Sequence, residues 1–195
     1  STIDSNQSLY DDVRANYQDV SDRTIMDYLS TLKKLYIIDE IESWNPNIRS
    51  KTAIRTSPKK SMVDPSLAVA ALSCTVDDVI HDIKTFGLLF ENLVNRDLKV
   101  YVNSIGGTLR HYRDRYGLEC DNVIHFDNGK YALIEVKLGG NKIKEAIKHL
   151  NELRNLIIEN QPKLGEPEFM MVITGTDMAY KDDNVLVVPV GCLKN

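Results

Sequence analysis

The sequence predicts an α/β (α+β) chain in two parts, with helices and a two-stranded sheet in residues 1–80 and an α-β-β-β-α-β unit in residues 81–195. Three observations support this prediction. Apolar residues recur every three to four positions in three long segments, which indicates amphipathic helices. Two strand-like runs flank Asp127-Asn128-Gly129, a loop typical of a β-hairpin. A continuous apolar run over residues 169–174 follows the last helical segment, as expected for a strand buried on both faces.

Composition is that of an ordinary globular protein. The 195 residues are 43% hydrophobic and 27% charged, and the formal net charge of -4 gives no overall attraction to nucleic acid. The three scattered cysteines form neither a disulfide framework nor a zinc-ligand spacing, which favours a reducing compartment and predicts a cytoplasmic location. We expect no membrane partner, because no apolar run approaches the length of a span. The start at Ser1, within a helical pattern, suggests a fragment of a longer protein.

The first 63 residues have the pattern of two helices and two strands. Residues 6–17 have a helical pattern, and Ser21 is a suitable N-cap for an amphipathic helix over 22–35. Residues 36–44 favour a strand, a turn follows at Asn45-Pro46-Asn47, and a second short strand is expected over 59–63. Two helices followed by a two-stranded wing predict a winged helix-turn-helix.

The predicted wing is strongly basic. It contains no acidic residue between positions 49 and 60, and its basic residues are Arg49, Lys51, Arg55, Lys59 and Lys60. Such a patch favours contact with a nucleic-acid backbone. A solvated loop and a protein-docking surface are the alternatives, since winged folds also bind proteins.

Short helices connect the two parts. Asp64 and Pro65 have the residue types of a helix start, and Leu67, Ala68, Ala71 and Leu72 are expected to face a core. A further helix over 75–84, capped by Thr75, precedes a long helix over 86–103. In the long helix Glu91 lies beside the apolar stripe, so it is either an exposed helix acid or an acidic group near the sheet.

The hairpin brings charged residues opposite one another. If Phe126 and Lys130 flank a three-residue loop that ends at Gly129, Asp121 lies across from Glu135 and Glu119 across from Lys137. Like charges directly opposite destabilise a sheet unless a cation lies between them, and Mg²⁺ prefers a small number of carboxylates. The alternative is a charged, solvent-facing side of an amphipathic hairpin.

The remaining elements complete the second part. A strand over 108–113 precedes the hairpin, and Leu138-Gly139-Gly140 leads into a helix over 142–160. The strand over 169–174 should pair in parallel after this crossover helix, and a last strand is expected over 184–190. The sequence contains no GxxxxGK[ST] phosphate-binding loop, so we expect no ATP hydrolysis by this chain alone.

Several of these segments resemble a known family. The succession of Glu91, Asp121 and Glu135-Val136-Lys137 is similar to the PD-(D/E)xK nuclease-like signature, although Cys120 stands at the position of the name-giving proline. More closely, residues 20–193 resemble the C-terminal domain of a group of prokaryotic AAA+ ATPases. The resemblance rests on the ordered segments DPSLA at 64–68, FGLLFE at 86–91, Glu119 with Asp121, and EVKLG at 135–139.

The resemblance implies a restriction-endonuclease-like core and Mg²⁺- or Mn²⁺-dependent phosphodiester hydrolysis. In that interpretation Asp121 and Glu135 hold the metal, helped by Glu91 or Glu119, and Lys137 is the third catalytic residue. The implied partners are the ATPase domain of the same parent protein and DNA. A catalytically inactive module that binds nucleic acid or protein is the alternative, and an oligomerisation platform is a third possibility.

Overall fold

The computed structural model describes residues 6–17, 20–46, 57–114 and 116–194. Its helices are α1 (Asn6–Asn16), α2 (Asp22–Lys34), α3 (Pro65–Leu72), α4 (Val76–His81), α5 (Ile83–Ser104) and α6 (Ile143–Asn160). Its strands are β1 (Ile38–Ile41), β2 (Lys59–Met62), β3 (Gly107–Arg113), β4 (Glu119–Phe126), β5 (Tyr131–Lys137), β6 (Met170–Thr174), β7 (Tyr180–Asp182) and β8 (Val185–Pro189). No helix in these ranges is both long and apolar enough to cross a bilayer.

The N-terminal helices and strands lie within the predicted segments, but β1 covers only Ile38–Ile41 of the strand predicted over 36–44. The Ser21 side chain caps α2 by accepting a hydrogen bond from the Thr24 backbone N–H at 3.2 Å. Strands β1 and β2 pair antiparallel, with Ile38 opposite Met62 and Ile41 opposite Lys59. The basic segment at 47–56 lies outside the described residues, so Arg49, Lys51 and Arg55 have no structural description.

The connecting helices differ from expectation in packing and in length. Asp64 and Pro65 start α3 as predicted, but Leu67 is 40% exposed and Leu72 is 59% exposed, so the expected core-facing stripe is wrong. None of the residues of α3, all of which the structure describes, is buried. Helix α4 ends at His81 because the Asp82 side chain caps α5, which therefore begins three residues earlier than predicted.

The second part is built on a six-stranded mixed sheet with the order β3-β4-β5-β6-β8-β7. Strands β3, β4 and β5 are antiparallel neighbours, as the hairpin predicts. Strand β6 pairs in parallel with β5 after helix α6, and β8 pairs in parallel with β6. The predicted α-β-β-β-α-β succession is therefore present, and β7, an antiparallel edge strand, is an addition that the sequence did not indicate.

Two apolar clusters cover the two faces of the sheet. Helix α5 packs on one face, where Phe90, Val94 and Leu98 contact a cluster that includes Ile134. Helix α6 packs on the other face, where its buried residues join a cluster that includes Tyr131 and Leu133. Strand β5 alternates between the two clusters and is buried along most of its length.

A segment from the N-terminal part pairs with the edge of this sheet. Ser43 forms a parallel bridge with His111 on β3, and the Trp44 backbone N–H donates to the His111 carbonyl at 2.6 Å. The Trp44 indole stacks on the Tyr131 ring with 5.1 Å between centroids. Trp44 thereby becomes part of the core beneath α6. The division of the chain at residue 80 stays a prediction.

Candidate active site

The β4–β5 hairpin has the predicted loop. Gly129 adopts φ of 82°, the left-handed conformation that favours glycine at the end of a three-residue loop. The Phe126 backbone N–H donates to the Lys130 carbonyl at 2.9 Å, so these two residues flank the turn. The ladder runs from His125 opposite Tyr131 to Asn122 opposite Ile134, and Asp121 and Glu135 are the next residues along the two strands beyond this last pair.

A change in strand register sets the position of Asp121. On the β3 side, pairing advances from Arg110 to Tyr112 while β4 advances from Val123 to Cys120, so β4 carries one extra residue. Such a bulge frees backbone groups from the ladder and redirects side chains. The Asp121 carboxylate accepts a hydrogen bond from the Val136 backbone N–H at 2.8 Å, which fixes this carboxylate against β5.

Lys137 brings the two opposing carboxylates together. Its Nζ lies 2.6 Å from Glu135 Oε2 and 3.2 Å from Asp121 Oδ2. Both acids therefore direct an oxygen at one ammonium group, as the hairpin register predicts for side chains that share a face. Glu135 is only 4% exposed, whereas the side chains of Asp121 and Lys137 are each 24% exposed. The Glu135 side of the site is therefore closed to solvent, whereas the side formed by Asp121 and Lys137 is partly open.

The surroundings shift the pKa values of these groups in different directions. Burial, reinforced by the Asp121 charge, raises the pKa of Glu135 to about 8. Burial also opposes ionisation of Asp121, but the charges of Lys137 and Lys59 and the Val136 N–H outweigh it and lower its pKa. For Lys137, desolvation lowers the pKa, and the two carboxylates more than compensate, so its pKa is raised. One carboxylate thus stays ionised while its neighbour retains a proton near neutral pH.

A second lysine enters the site from the N-terminal sheet. Lys59 is 2% exposed, forms an ion pair with Glu91 on α5, and donates to the backbone carbonyl of Asp121 at 3.2 Å. The prediction that Lys59 contacts a nucleic-acid backbone is wrong, because its side chain is buried. Sequence analysis missed this contact, since Lys59 and Lys60 alternate on a short strand and the pattern does not show which one points inward.

The other predicted site residues lie apart from this cluster. The Glu119 carboxylate pairs with Arg113 Nε at 3.0 Å on the neighbouring strand, rather than with Lys137. The bulge gives a physical reason, because the ladder with β5 is paired only as far as Asn122. Glu91 reaches the site through Lys59. Lys60 is half-buried on β2.

The donor set can be compared with the needs of a divalent ion. Within the ranges that the structure describes, no group of three or more His, Cys, Asp or Glu side chains is arranged to hold a metal. Mg²⁺ is commonly bound by one or two carboxylates, with water and substrate phosphate completing its six ligands. Asp121 and Glu135 already converge on a cation, the Lys137 ammonium, so these two residues fit such an ion.

Comparison with known families gives two matches. Residues 86–193 match a family described as domain of unknown function (DUF4143), and residues 4–78 match a second one described as domain of unknown function (DUF8612). No curated protein and no solved structure matches the chain. The first match spans more than half of the 195 residues and contains α6, nearly all of α5 and every strand of the large sheet. The chain belongs to the DUF4143 family, whose domains occur at the C-terminus of AAA-ATPase-type proteins.

Proposed function

We propose that this chain is a C-terminal nuclease-like domain of an AAA+ ATPase-type protein that hydrolyses phosphodiester bonds with the help of Mg²⁺ or Mn²⁺. The observation that carries the proposal is the convergence of Asp121 and Glu135 on Lys137 at the end of the β4–β5 hairpin. The order of α5, the three antiparallel strands, α6 and the parallel strand β6 supports a restriction-endonuclease-like core.

Each residue of the cluster has a role in this proposal. Asp121 and Glu135 would hold the ion, and Asp121 is suited to it because the Val136 N–H and two lysines keep its carboxylate ionised. A bound divalent ion supplies Lewis-acid polarisation of the phosphate and a water of lowered pKa. The Lys137 ammonium stabilises negative charge that develops on the phosphate. Glu135 must lose its proton to act as a ligand, so ion binding should strengthen as pH rises.

The direct test is DNA cleavage by the purified chain with Mg²⁺ or Mn²⁺. Asp121→Ala and Glu135→Ala should each abolish cleavage of labelled single- and double-stranded DNA. Glu152→Ala is the matched control, because Glu152 is an exposed acid on α6 that pairs with Lys148. Cleavage that persists at the same rate in both site variants would assign the activity to another site or to a contaminant.

A catalytically inactive binding module is the second candidate. The observation that favours it is internal charge balance, because Lys137 and Lys59 already neutralise the buried acids and Glu135 is 4% exposed. The discriminating measurement is the melting temperature of the chain with millimolar Mn²⁺. A rise that disappears in Glu135→Gln supports the enzyme, because a ligand that binds only the folded state stabilises it. An unchanged melting temperature supports the module.

We also propose that the N-terminal part is a winged helix that contacts nucleic acid. Helices α1 and α2 followed by the antiparallel β1–β2 pair support the assignment. The candidate phosphate contacts are Lys60 and, outside the described residues, Arg49, Lys51 and Arg55. Binding of fluorescent DNA should weaken steeply with salt, and replacing these four residues with alanine should make the dependence shallower. Salt-independent binding would refute the contact.

The proposed partners and location follow from the same assignments. The ATPase domain of the same parent protein is the expected protein partner, and DNA is the expected substrate. Cys74, Cys120 and Cys192 are all free thiols, which supports a reducing compartment such as the cytoplasm.

A further inference from the structure

The buried Lys59 ammonium lies where oxygen atoms from two elements meet. Its Nζ pairs with the Glu91 carboxylate of α5 and donates to the Asp121 backbone carbonyl on β4 at 3.2 Å. A carboxylate oxygen together with a backbone carbonyl oxygen is the donor combination that hard cations such as Ca²⁺ and Mg²⁺ take from proteins. The Lys59 ammonium group therefore occupies a position that would otherwise attract a small cation.

The burial of this lysine makes its pairing obligatory. A charged side chain that is 2% exposed is tolerated only when it is paired and hydrogen-bonded, because losing its hydration is costly. Glu91 is the acid that forms the ion pair, and the Asp121 carbonyl accepts a further hydrogen bond. The same contact holds Glu91 on the α5 side of the cluster, while Lys137 lies between Asp121 and Glu135.

We infer that Lys59 is a positioning residue that restricts the site to a single divalent ion by retaining Glu91 in an ion pair. This inference rests on the proposed function, because it presumes that Asp121 and Glu135 bind the ion. The N-terminal sheet then supplies part of the site, and the number of bound ions depends on a residue outside the segment at 86–193 that matches the DUF4143 family. Glu91 in this chain anchors the lysine and does not bind metal.

The number of Mn²⁺ ions bound by the full chain tests the inference without any measurement of activity. Calorimetric titration and the electron paramagnetic resonance signal of free Mn²⁺ should give one ion per chain for the unchanged protein. Lys59→Met should add a second ion, because it releases the Glu91 carboxylate and removes a nearby positive charge. Lys59→Met combined with Glu91→Gln should return the number to one ion.

Lys99→Met is the matched control. Lys99 on α5 pairs with Asp39 on β1 at 2.6 Å, so this variant also breaks an ion pair between the N-terminal sheet and α5, but away from the site. It should leave the number of ions and their affinity unchanged. Lys59→Arg keeps the charge and should still give one ion.

Lys59→Met with Glu91→Gln, which removes both charges and leaves neither unpaired, provides an independent measurement in case Lys59→Met alone does not fold. The double variant should still bind one ion, whereas a loss of binding would make Glu91 a ligand and overturn the inference. Two ions in the unchanged protein, or no Glu91-dependent gain in Lys59→Met, would also overturn it. If the unchanged protein binds no ion, or if Glu135→Gln retains the ion, the proposed metal-dependent function fails and the inference fails with it. If the unchanged protein binds one ion that Glu135→Gln loses, and Lys59→Met gains no second ion, the inference alone fails.

Discussion

Glu135→Gln should change how the stability of the protein depends on pH. In the folded chain the pKa of Glu135 is raised from 4.5 to about 8, with burial as the largest cause and the Asp121 charge as the next. Between those two pH values the unfolded chain has released this proton and the folded chain still holds it. The free energy of unfolding therefore falls as pH rises through this window.

The size of the effect follows from the shift. Each pKa unit corresponds to about 1.4 kcal/mol, so the contribution of Glu135 should decline by about 1.4 kcal/mol per pH unit between pH 5 and 8. A glutamine releases no proton, so the variant lacks this decline. The pKa of Asp121 is lowered instead, so its contribution is present above the unfolded value of 3.8 and is lost only at more acidic pH. The two effects therefore occupy separate pH ranges.

The measurement is urea unfolding, followed by circular dichroism, at pH 5, 6, 7 and 8. We expect the difference in unfolding free energy between Glu135→Gln and the unchanged protein to rise steadily in favour of the variant. Glu152→Gln, which replaces an exposed acid on α6, should give a constant difference. A constant difference for Glu135→Gln as well would show that Glu135 is already ionised at pH 5, and would refute the argument from burial.

Three further predictions concern the fold around the site. Trp44→Ala should lower the unfolding free energy by about 3–5 kcal/mol in urea denaturation, because it removes a buried aromatic side chain. Tyr28→Ala, at a 65% exposed position, should lower the unfolding free energy by less than about 1 kcal/mol. Gly129→Ala should cost roughly 1–2 kcal/mol in the same assay, because φ is 82° there and only the backbone is strained. Cys120 should resist iodoacetamide in the folded protein, because burial raises the pKa of its thiol, whereas the exposed Cys192 should react. Mass spectrometry measures the labelling of each cysteine. Equal labelling of the two would contradict the burial of Cys120.

The hairpin register could be predicted because the residues that determine it are close together in the sequence. The three-residue loop ending at Gly129 and the alternation on either side leave one pairing, which the ladder from Asn122 to His125 confirms. Strand β6 could also be predicted from the sequence, because a continuous apolar run after a helix favours a buried parallel strand. The convergence of Asp121 and Glu135 also depends on the bulge in β4, which the sequence pattern did not indicate.

The features that sequence analysis missed depend on contacts between distant segments. Two adjacent lysines on β2 give no indication that Lys59, and not Lys60, is buried against α5. The prediction that Leu67 and Leu72 face a core is wrong. Apolar spacing shows which residues share a face of a helix, but not whether another element covers that face. Strand β7 has three exposed residues and no apolar alternation, so only its pairing with β8 defines it.

The stacking of Trp44 on Tyr131 affects how the chain can be shortened. A fragment that begins at residue 86 would expose apolar surface that the indole covers and leave the outer edge of β3 unpaired at His111. Bare apolar patches and open strand edges both promote self-association. Trp44 is the single tryptophan of the chain. In any fragment that contains it, the wavelength of its fluorescence emission would therefore report whether the indole is packed against Tyr131.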